Sequence, residues 1–297
     1  MFQGSFTALI TPFKGGQIDD KAFERLVEWQ IEEGTHGLVP VGTTGECPTL
    51  SHEEHKHVVE LCIKVAKKRV PVIAGAGSNS TLEAIDFSRH AKKAGADAVL
   101  HVTGYYNKPT QEGIYQHFKA ISDEVDIPVF LYNVPVRTIV DISVATVARC
   151  AQLKTVIGIK DATANVARVT QQRLACAKPF VQLSGEDSTA LGFNAHGGQG
   201  CISVTSNVAP RLCAQFQTAC QKGDWKTAAE LNDRLMILHE NLFCETSPGP
   251  VKYAASKLGL CSAELRLPMV PIAEESKRKV DAALAAVGLA SLAKAAE

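Results

Sequence analysis

A lysine closes the apolar run Thr155-Val156-Ile157-Gly158-Ile159, and Asp161 follows it directly. Burying an ammonium group without a partner is very costly, so Lys160 either escapes to solvent or is held for a purpose. Amine catalysis is one such purpose: a lysine that an apolar or cationic setting leaves unprotonated attacks a keto group and forms a Schiff base. The plainer alternative is an exposed lysine at a strand end, in an ion pair open to water.

Strand alternation sharpens the choice. Alternate residues of a strand point to opposite faces, so Lys160 is expected to share a side with Gly158 and Val156 while Asp161 faces away. Gly158 is expected to leave room around the lysine stem. By the same parity Tyr132 lies with Phe130 on a neighbouring strand, where its hydroxyl can shuttle protons during carbinolamine formation and dehydration, or simply pack in the core. The loop Gly42-Thr43-Thr44-Gly45-Glu46 is rich in backbone donors and hydroxyls, suited to a small carboxylate. Glu46 reads first as a structural hydrogen-bonding group. Arg137 can clamp a second carboxylate with its planar fork, and a surface salt bridge is its ordinary alternative.

These residues need a scaffold that gathers strand ends. Short β-branched runs alternate with amphipathic ones along the chain, the pattern of repeated βα units. Strands are expected at Phe6–Ile10, Gly37–Val41, Val70–Ala74, Ala98–Val102, Val129–Tyr132, Val156–Lys160, Phe180–Leu183 and Gly200–Val204. Helices are expected at Asp19–Gly34, at Ser51–Ala66 with a capping box from Ser51 to Glu54, at Thr81–Ala94, and from Asp141 to Cys150. Eight such runs predict an α/β fold, a TIM (β/α)8 barrel with active-site groups at the C-terminal strand ends. A doubly wound sheet shares the alternation, but the first strand lacks the GxGxxG turn of that fold's dinucleotide sites. Residues 208 to about 240 and 250–296 read as almost wholly helical, punctuated by Gly223-Asp224, the Ser247-Pro248-Gly249-Pro250 turn and Leu267-Pro268. The expected division is a barrel over residues 1–222 and a small C-terminal helical extension over 223–297, packed on the barrel or on a partner subunit.

Composition narrows the class. The chain has 297 residues, with 31 basic and 31 acidic side chains that leave no net charge. With no basic stripe, a nucleic-acid surface is not expected. Nine scattered cysteines form no CxxC pair, which reads as reduced thiols rather than a metal site or a disulfide framework. No apolar stretch reaches membrane-spanning length and the N-terminus lacks a signal-peptide pattern, so a soluble cytoplasmic protein is expected.

The segments GTTGECPTL (42–50), IAGAGSNST (73–81), GYYNKPTQEG (104–113), YNVPVRT (132–138) and GIKDA (158–162) together resemble the 4-hydroxy-tetrahydrodipicolinate synthases, formerly called dihydrodipicolinate synthases, of the pyruvate-dependent Schiff-base aldolase superfamily. The resemblance spans essentially the whole chain. It implies that Lys160 forms the Schiff base with pyruvate, and that Tyr132 relays protons with Thr43 and with Tyr106, the latter reaching the active site of a neighbouring subunit. It further implies that Thr44 and Gly185 hold pyruvate, that backbone groups near Ile202 line the pocket, and that Arg137 receives the carboxylate of L-aspartate-4-semialdehyde. The reaction, a step of lysine and diaminopimelate biosynthesis, needs no metal or organic cofactor, because the lysine adduct is itself the electron sink. A homotetramer built as a dimer of dimers is implied as well.

Other branches remain open. N-acetylneuraminate lyases and 2-keto-3-deoxy sugar-acid aldolases use a comparable lysine and tyrosine, and a noncatalytic carboxylate-binding protein would keep the 42–46 loop. Val136 and Ile139 stand where the synthases usually carry smaller residues, which is expected to crowd the arginine loop. Ser247 precedes Pro248 where asparagine is common, and is expected to touch only a peripheral contact. The run Ser51-His52-Glu53-Glu54-His55 is not HExxH, and a solvated helix start is its ordinary reading. The resemblance adds a second one: His52, His55, Asn79, Glu83 and Tyr105 match the set that binds the effector L-lysine in regulated synthases.

Overall fold

The computed structural model describes residues 2–289. Eight parallel strands form one sheet: β1 (Gly4–Ala8), β2 (Gly37–Val39), β3 (Ile73–Gly75), β4 (Ala98–Val102), β5 (Val129–Asn133), β6 (Val156–Asp161), β7 (Val181–Ser184) and β8 (Gly200–Ser203). Their order is β2-β1-β8-β7-β6-β5-β4-β3, and a parallel bridge from Leu38 to Val72 joins the two ends. The sheet is therefore a (β/α)8 barrel and not an open doubly wound sheet.

Helices α1 (Asp20–Glu32), α2 (His52–Ala66), α3 (Thr81–Ala94), α4 (Gln111–Glu124), α5 (Val144–Cys150), α6 (Ala167–Ala175), α7 (Ala190–Ala195) and α8 (Pro210–Gln221) follow the strands in turn. The start of α2 shows how the sequence sets an element: the Ser51 hydroxyl accepts from the Glu54 amide, and the Glu54 carboxylate accepts from the Ser51 amide. A hairpin, Phe13–Lys14 with Gln17–Ile18, precedes α1.

Two apolar layers result. One lies between strands and helices. The other fills the barrel with Phe6, Ala8, Val39, Ile73, Leu100, Phe130, Tyr132, Leu183 and Ile202. Strand parity holds for most of this inner set, but β6 departs from it. Its register against β5 shifts between Val129 and Phe130, so that Val129 pairs with Val156 and Phe130 with Gly158. The extra residue turns Val156 out into the helix layer beside Ile159, not inward with Lys160 as simple alternation predicts. Gly158 does face inward, yet the space beside it is taken: a Cβ there would meet the Val181 carbonyl at 2.5 Å and the Phe130 ring at 2.6 Å.

After the barrel come α9 (Trp225–Asn241), α10 (Gly249–Lys257) and α11 (Glu274–Ala286). The break expected at Leu267-Pro268 is present and wider than those two residues, since 258–273 is irregular, with Gly259 left-handed at φ 74° and prolines at 268 and 271. Residues 290–297 of the expected extension lie outside the described residues. Among the described residues, no helix is long and apolar enough to cross a membrane, and all nine cysteines are free.

The end of β6 is fixed from outside the barrel. Asp161 is buried and its carboxylate accepts from the Arg168 Nε at 3.0 Å, the Gln172 Nε2 at 2.8 Å, and the Thr163 amide and hydroxyl. Arg168 also donates to the Ile142 carbonyl at 2.6 Å. Removing one partner of a buried pair strands the other charge. Arg168→Leu is therefore expected to lower unfolding free energy by about 3–5 kcal/mol, read from the shift in urea midpoint at pH 7.

Candidate active site

Lys160 ends inside the barrel and is 6% exposed, so it is not the solvent-paired lysine of the plainer reading. Its nitrogen lies 4.2 Å from the centroid of the Tyr132 ring, the residue paired with it across β5 and β6. A ring face attracts a cation through its quadrupole and places no carboxylate beside the amine. The room for the stem comes from Gly185, at the end of β7. A Cβ on Gly185 would meet Lys160 Cε at 3.0 Å and Ala162 Cβ at 2.7 Å. Close approach to Ala162 and to the lysine stem, not backbone freedom, is what requires glycine here. Ile202 lies fully buried in the same inner layer.

The loop after β2 forms a short 3-10 turn, Thr43–Gly45, with left-handed residues on either side: Val41 at φ 54° and Glu46 at φ 57°. Thr44 is buried, and Thr11 anchors the loop by donating its hydroxyl to the Gly45 carbonyl at 2.7 Å. Thr43 lines a cavity of about 210 Å³ with Cys47, Tyr105, Val134, Arg137 and Thr138. Larger grooves of about 470 and 560 Å³ lie around Glu33 and Arg211 and include none of the strand-end residues. The convergence of polar groups, not size, singles out the smaller cavity.

Arg137 stands in a one-turn helix, Pro135–Thr138, and donates to the Ser247 carbonyl at 3.3 Å. Ser247 therefore contacts the arginine directly through its backbone, where only a peripheral role is expected from sequence. Val136 and Ile139, on either side of Arg137 in this turn, are exposed in the single chain. Tyr106 is not brought to Lys160 within this chain. It is 93% exposed and left-handed at φ 70°, and, like Lys160 and Tyr132, it is not among the residues lining the 210 Å³ cavity.

Glu186 is a site residue that sequence reasoning left without a role, although its place just after Gly185 was the available signal. Burial, and then the Asp187 carboxylate, push its pKa up, while Lys160 and Arg137 pull it down. The mouth thus holds an amine, a guanidinium and a carboxyl group within electrostatic reach of one another. That combination suits imine chemistry on a small keto acid.

A second cavity of about 160 Å³ adjoins the first, and Cys47, Pro48, Gly77 and Tyr105 line both. His52, His55, Glu83 and Tyr105 all line it. Asn79 does not, and instead donates from behind to the Tyr105 carbonyl at 3.2 Å. Glu83 accepts from Ser78 and meets His52 Nε2 at 2.6 Å. His55 stacks on Phe87 at 3.9 Å and donates from Nε2 to the Gly75 carbonyl at 2.8 Å. Burial pushes its pKa down to about 4, so at neutral pH it is an uncharged donor. Among the described residues, no three His, Cys, Asp or Glu side chains are grouped to hold a metal ion.

Residues 1–287 match the model of the Dihydrodipicolinate synthetase family. A protein of Parvibaculum lavamentivorans named 4-hydroxy-tetrahydrodipicolinate synthase is 66% identical over 289 residues, which cover 97% of this chain and 99% of that one. The crystal structure of the chloride-inhibited dihydrodipicolinate synthase of Acinetobacter baumannii complexed with pyruvate superimposes with a TM-score of 0.95 at 47% identity, covering 97% of this chain and 100% of that one. The lysine-bound structure of the Cyanidioschyzon merolae protein gives a TM-score of 0.94 at 34% identity, covering 97% and 99%.

Packing of Gly185 against the lysine stem has a direct consequence. Gly185→Ala is expected to displace the Lys160 amine and slow imine formation with a keto acid by about one to two orders of magnitude. Borohydride trapping over time, with far-ultraviolet circular dichroism to show an unchanged fold, measures it.

Proposed function

The chain belongs to the dihydrodipicolinate synthetase family, and on that basis we propose that it is a 4-hydroxy-tetrahydrodipicolinate synthase, a Schiff-base lyase that joins pyruvate to L-aspartate-4-semialdehyde in lysine and diaminopimelate biosynthesis. The observation that carries the reading is the buried amine of Lys160, set against the Tyr132 ring at the barrel mouth in a chain so close to named synthases.

In this reading the Lys160 amine adds to the pyruvate keto carbon, and water leaves to give the imine. Loss of a methyl proton makes the enamine, whose electrons had been drawn toward the iminium nitrogen. The enamine carbon then attacks the semialdehyde carbonyl. The amino group of that substrate attacks the imine carbon, closing the ring and releasing Lys160. Tyr132 and Thr43 move protons at the carbinolamine stages, with Tyr106 entering from a second copy, which accounts for its exposure in a single chain. Thr44 and Gly185 hold pyruvate beside backbone groups near Ile202. Arg137, at the cavity wall, takes the semialdehyde carboxylate, a role a sugar-derived aldehyde would not require. The assembly is a cytoplasmic homotetramer, a dimer of dimers.

The second cavity takes L-lysine as a feedback ligand. Glu83 supplies a carboxylate for an ammonium group, and His52, His55, Asn79 and Tyr105 surround it or support its wall.

Incubation with pyruvate followed by borohydride is expected to leave a reduced adduct on Lys160, located by mass spectrometry. Lys160→Arg should lower kcat by about a thousandfold or more. An unmodified Lys160 under turnover conditions defeats the mechanism. Arg137→Met should raise the KM for aspartate semialdehyde by about tenfold or more, and faster turnover of a sugar-derived aldehyde by the parent chain would move it to the sugar-acid branch. Saturating lysine is expected to inhibit turnover in the parent and to lose that effect in Glu83→Gln, and unchanged parent activity at saturating lysine would remove the effector role.

A further inference from the structure

The C-terminal stretch reaches back to the substrate loop through groups that the reaction scheme leaves without a role. Lys252, on α10, is 0% exposed. Its ammonium donates to Glu46 Oε1 at 2.5 Å and to the Glu264 carbonyl at 2.7 Å, and it sits 4.0 Å from the centroid of the Phe13 ring. Glu46 is 4% exposed, and its other oxygen accepts from the Arg266 amide at 3.2 Å. The Arg266 guanidinium then grips the far side of the same loop, donating to the Thr49 carbonyl at 2.9 Å and to both Glu54 oxygens, at 2.5 and 2.7 Å.

Glu46 is also the residue whose left-handed backbone closes the turn carrying Thr43 and Thr44, its amide donating to the Thr43 carbonyl at 3.1 Å. A side chain with a Cβ adopts that conformation only when its surroundings over-determine it. A buried ion pair is a weak source of stability, because apolar side chains of similar volume often do as well. Unlike an apolar contact, it fixes direction. One donor on each carboxylate oxygen sets the position and plane of the Glu46 carboxyl group, and through it the backbone turn.

We propose that Lys252, assisted by Arg266, is a positioning residue for pyruvate: it holds Glu46 in the left-handed turn that presents Thr43 and Thr44 to the keto acid. The inference rests on the functional reading above. It makes the helical region beyond the barrel part of the substrate-binding apparatus, although Lys252 touches no reacting atom.

The test separates placement of the loop from folding. Lys252→Met alone leaves a buried carboxylate unpaired and is expected to lower the melting temperature. Adding Glu46→Gln removes that charge, so the double variant is expected to regain a melting temperature near that of the parent. Its KM for pyruvate should nevertheless stay about tenfold above the parent value, with the KM for aspartate semialdehyde within about twofold and kcat within about threefold. Arg266→Lys, at a partly exposed site, provides a second folded variant, for which a pyruvate KM about threefold higher is expected. Pyruvate KM values within about twofold of the parent in both folded variants would overturn the proposal and assign the pair a purely structural role. A parent chain that traps no pyruvate with borohydride would instead overturn the functional reading, and this inference with it.

Discussion

The inside of a parallel barrel is packed with apolar side chains and excludes water, so an inward-pointing amine can be accommodated only at a strand's last residues, where the core gives way to the mouth. Lys160 occupies that position on β6, and much of the surrounding structure answers to it. The next residue, Asp161, points outward and is tied to Arg168, Gln172 and Thr163, which fixes the strand end without putting a carboxylate beside the amine. On the inner side the neighbours are an aromatic face at Tyr132 and a bare backbone at Gly185. The amine is thus placed by packing more than by an ion pair with its neighbour in sequence.

Backbone strain gathers at the same end of the barrel. Of eight non-glycine residues with positive φ among the described residues, six lie in loops that leave the C-terminal ends of strands: Val41, Glu46, Tyr106, Lys108, Ile139 and Ala164. Such conformations persist only where tertiary contacts over-determine them. The contacts are visible after β2, where Thr11 holds the Gly45 carbonyl and Lys252 holds Glu46. The barrel supplies the rigid base, and the loops carry the cost of aiming their polar groups at one point.

The two cavities at the mouth are separated by very little protein. Cys47, Pro48, Gly77 and Tyr105 face both, so a ligand that shifts this wall in one cavity changes the shape of the other. Cys47 adds no reactive thiolate to that wall, since burial pushes its thiol up to about 12. Its contribution there is shape.

Local chemistry made much of this legible in the sequence. The capping box at Ser51 and Glu54, the eight β-branched runs and the strand-end lysine depend on residues close together in the chain, so spacing alone located the barrel and its amine. Parity oriented Tyr132 and Asp161 correctly, because a regular strand has no other choice. It failed at Val156, where a bulge set by pairing with β5 added a residue, and at Gly158, where the empty side is filled by Phe130. The break that the sequence marks at Leu267-Pro268 extends over 258–273, a width it did not show, and from this stretch Arg266 reaches Glu46, Thr49 and Glu54 across more than two hundred residues. The sequence by itself determined the fold class and singled out the strand-end lysine, since both follow from local pattern. Only the tertiary structure decided which glycine makes room for the lysine, what holds Arg137, and that a lysine beyond the barrel pairs with Glu46 in the loop after β2, because each of these is a contact between segments whose separation in the chain carries no trace of their meeting.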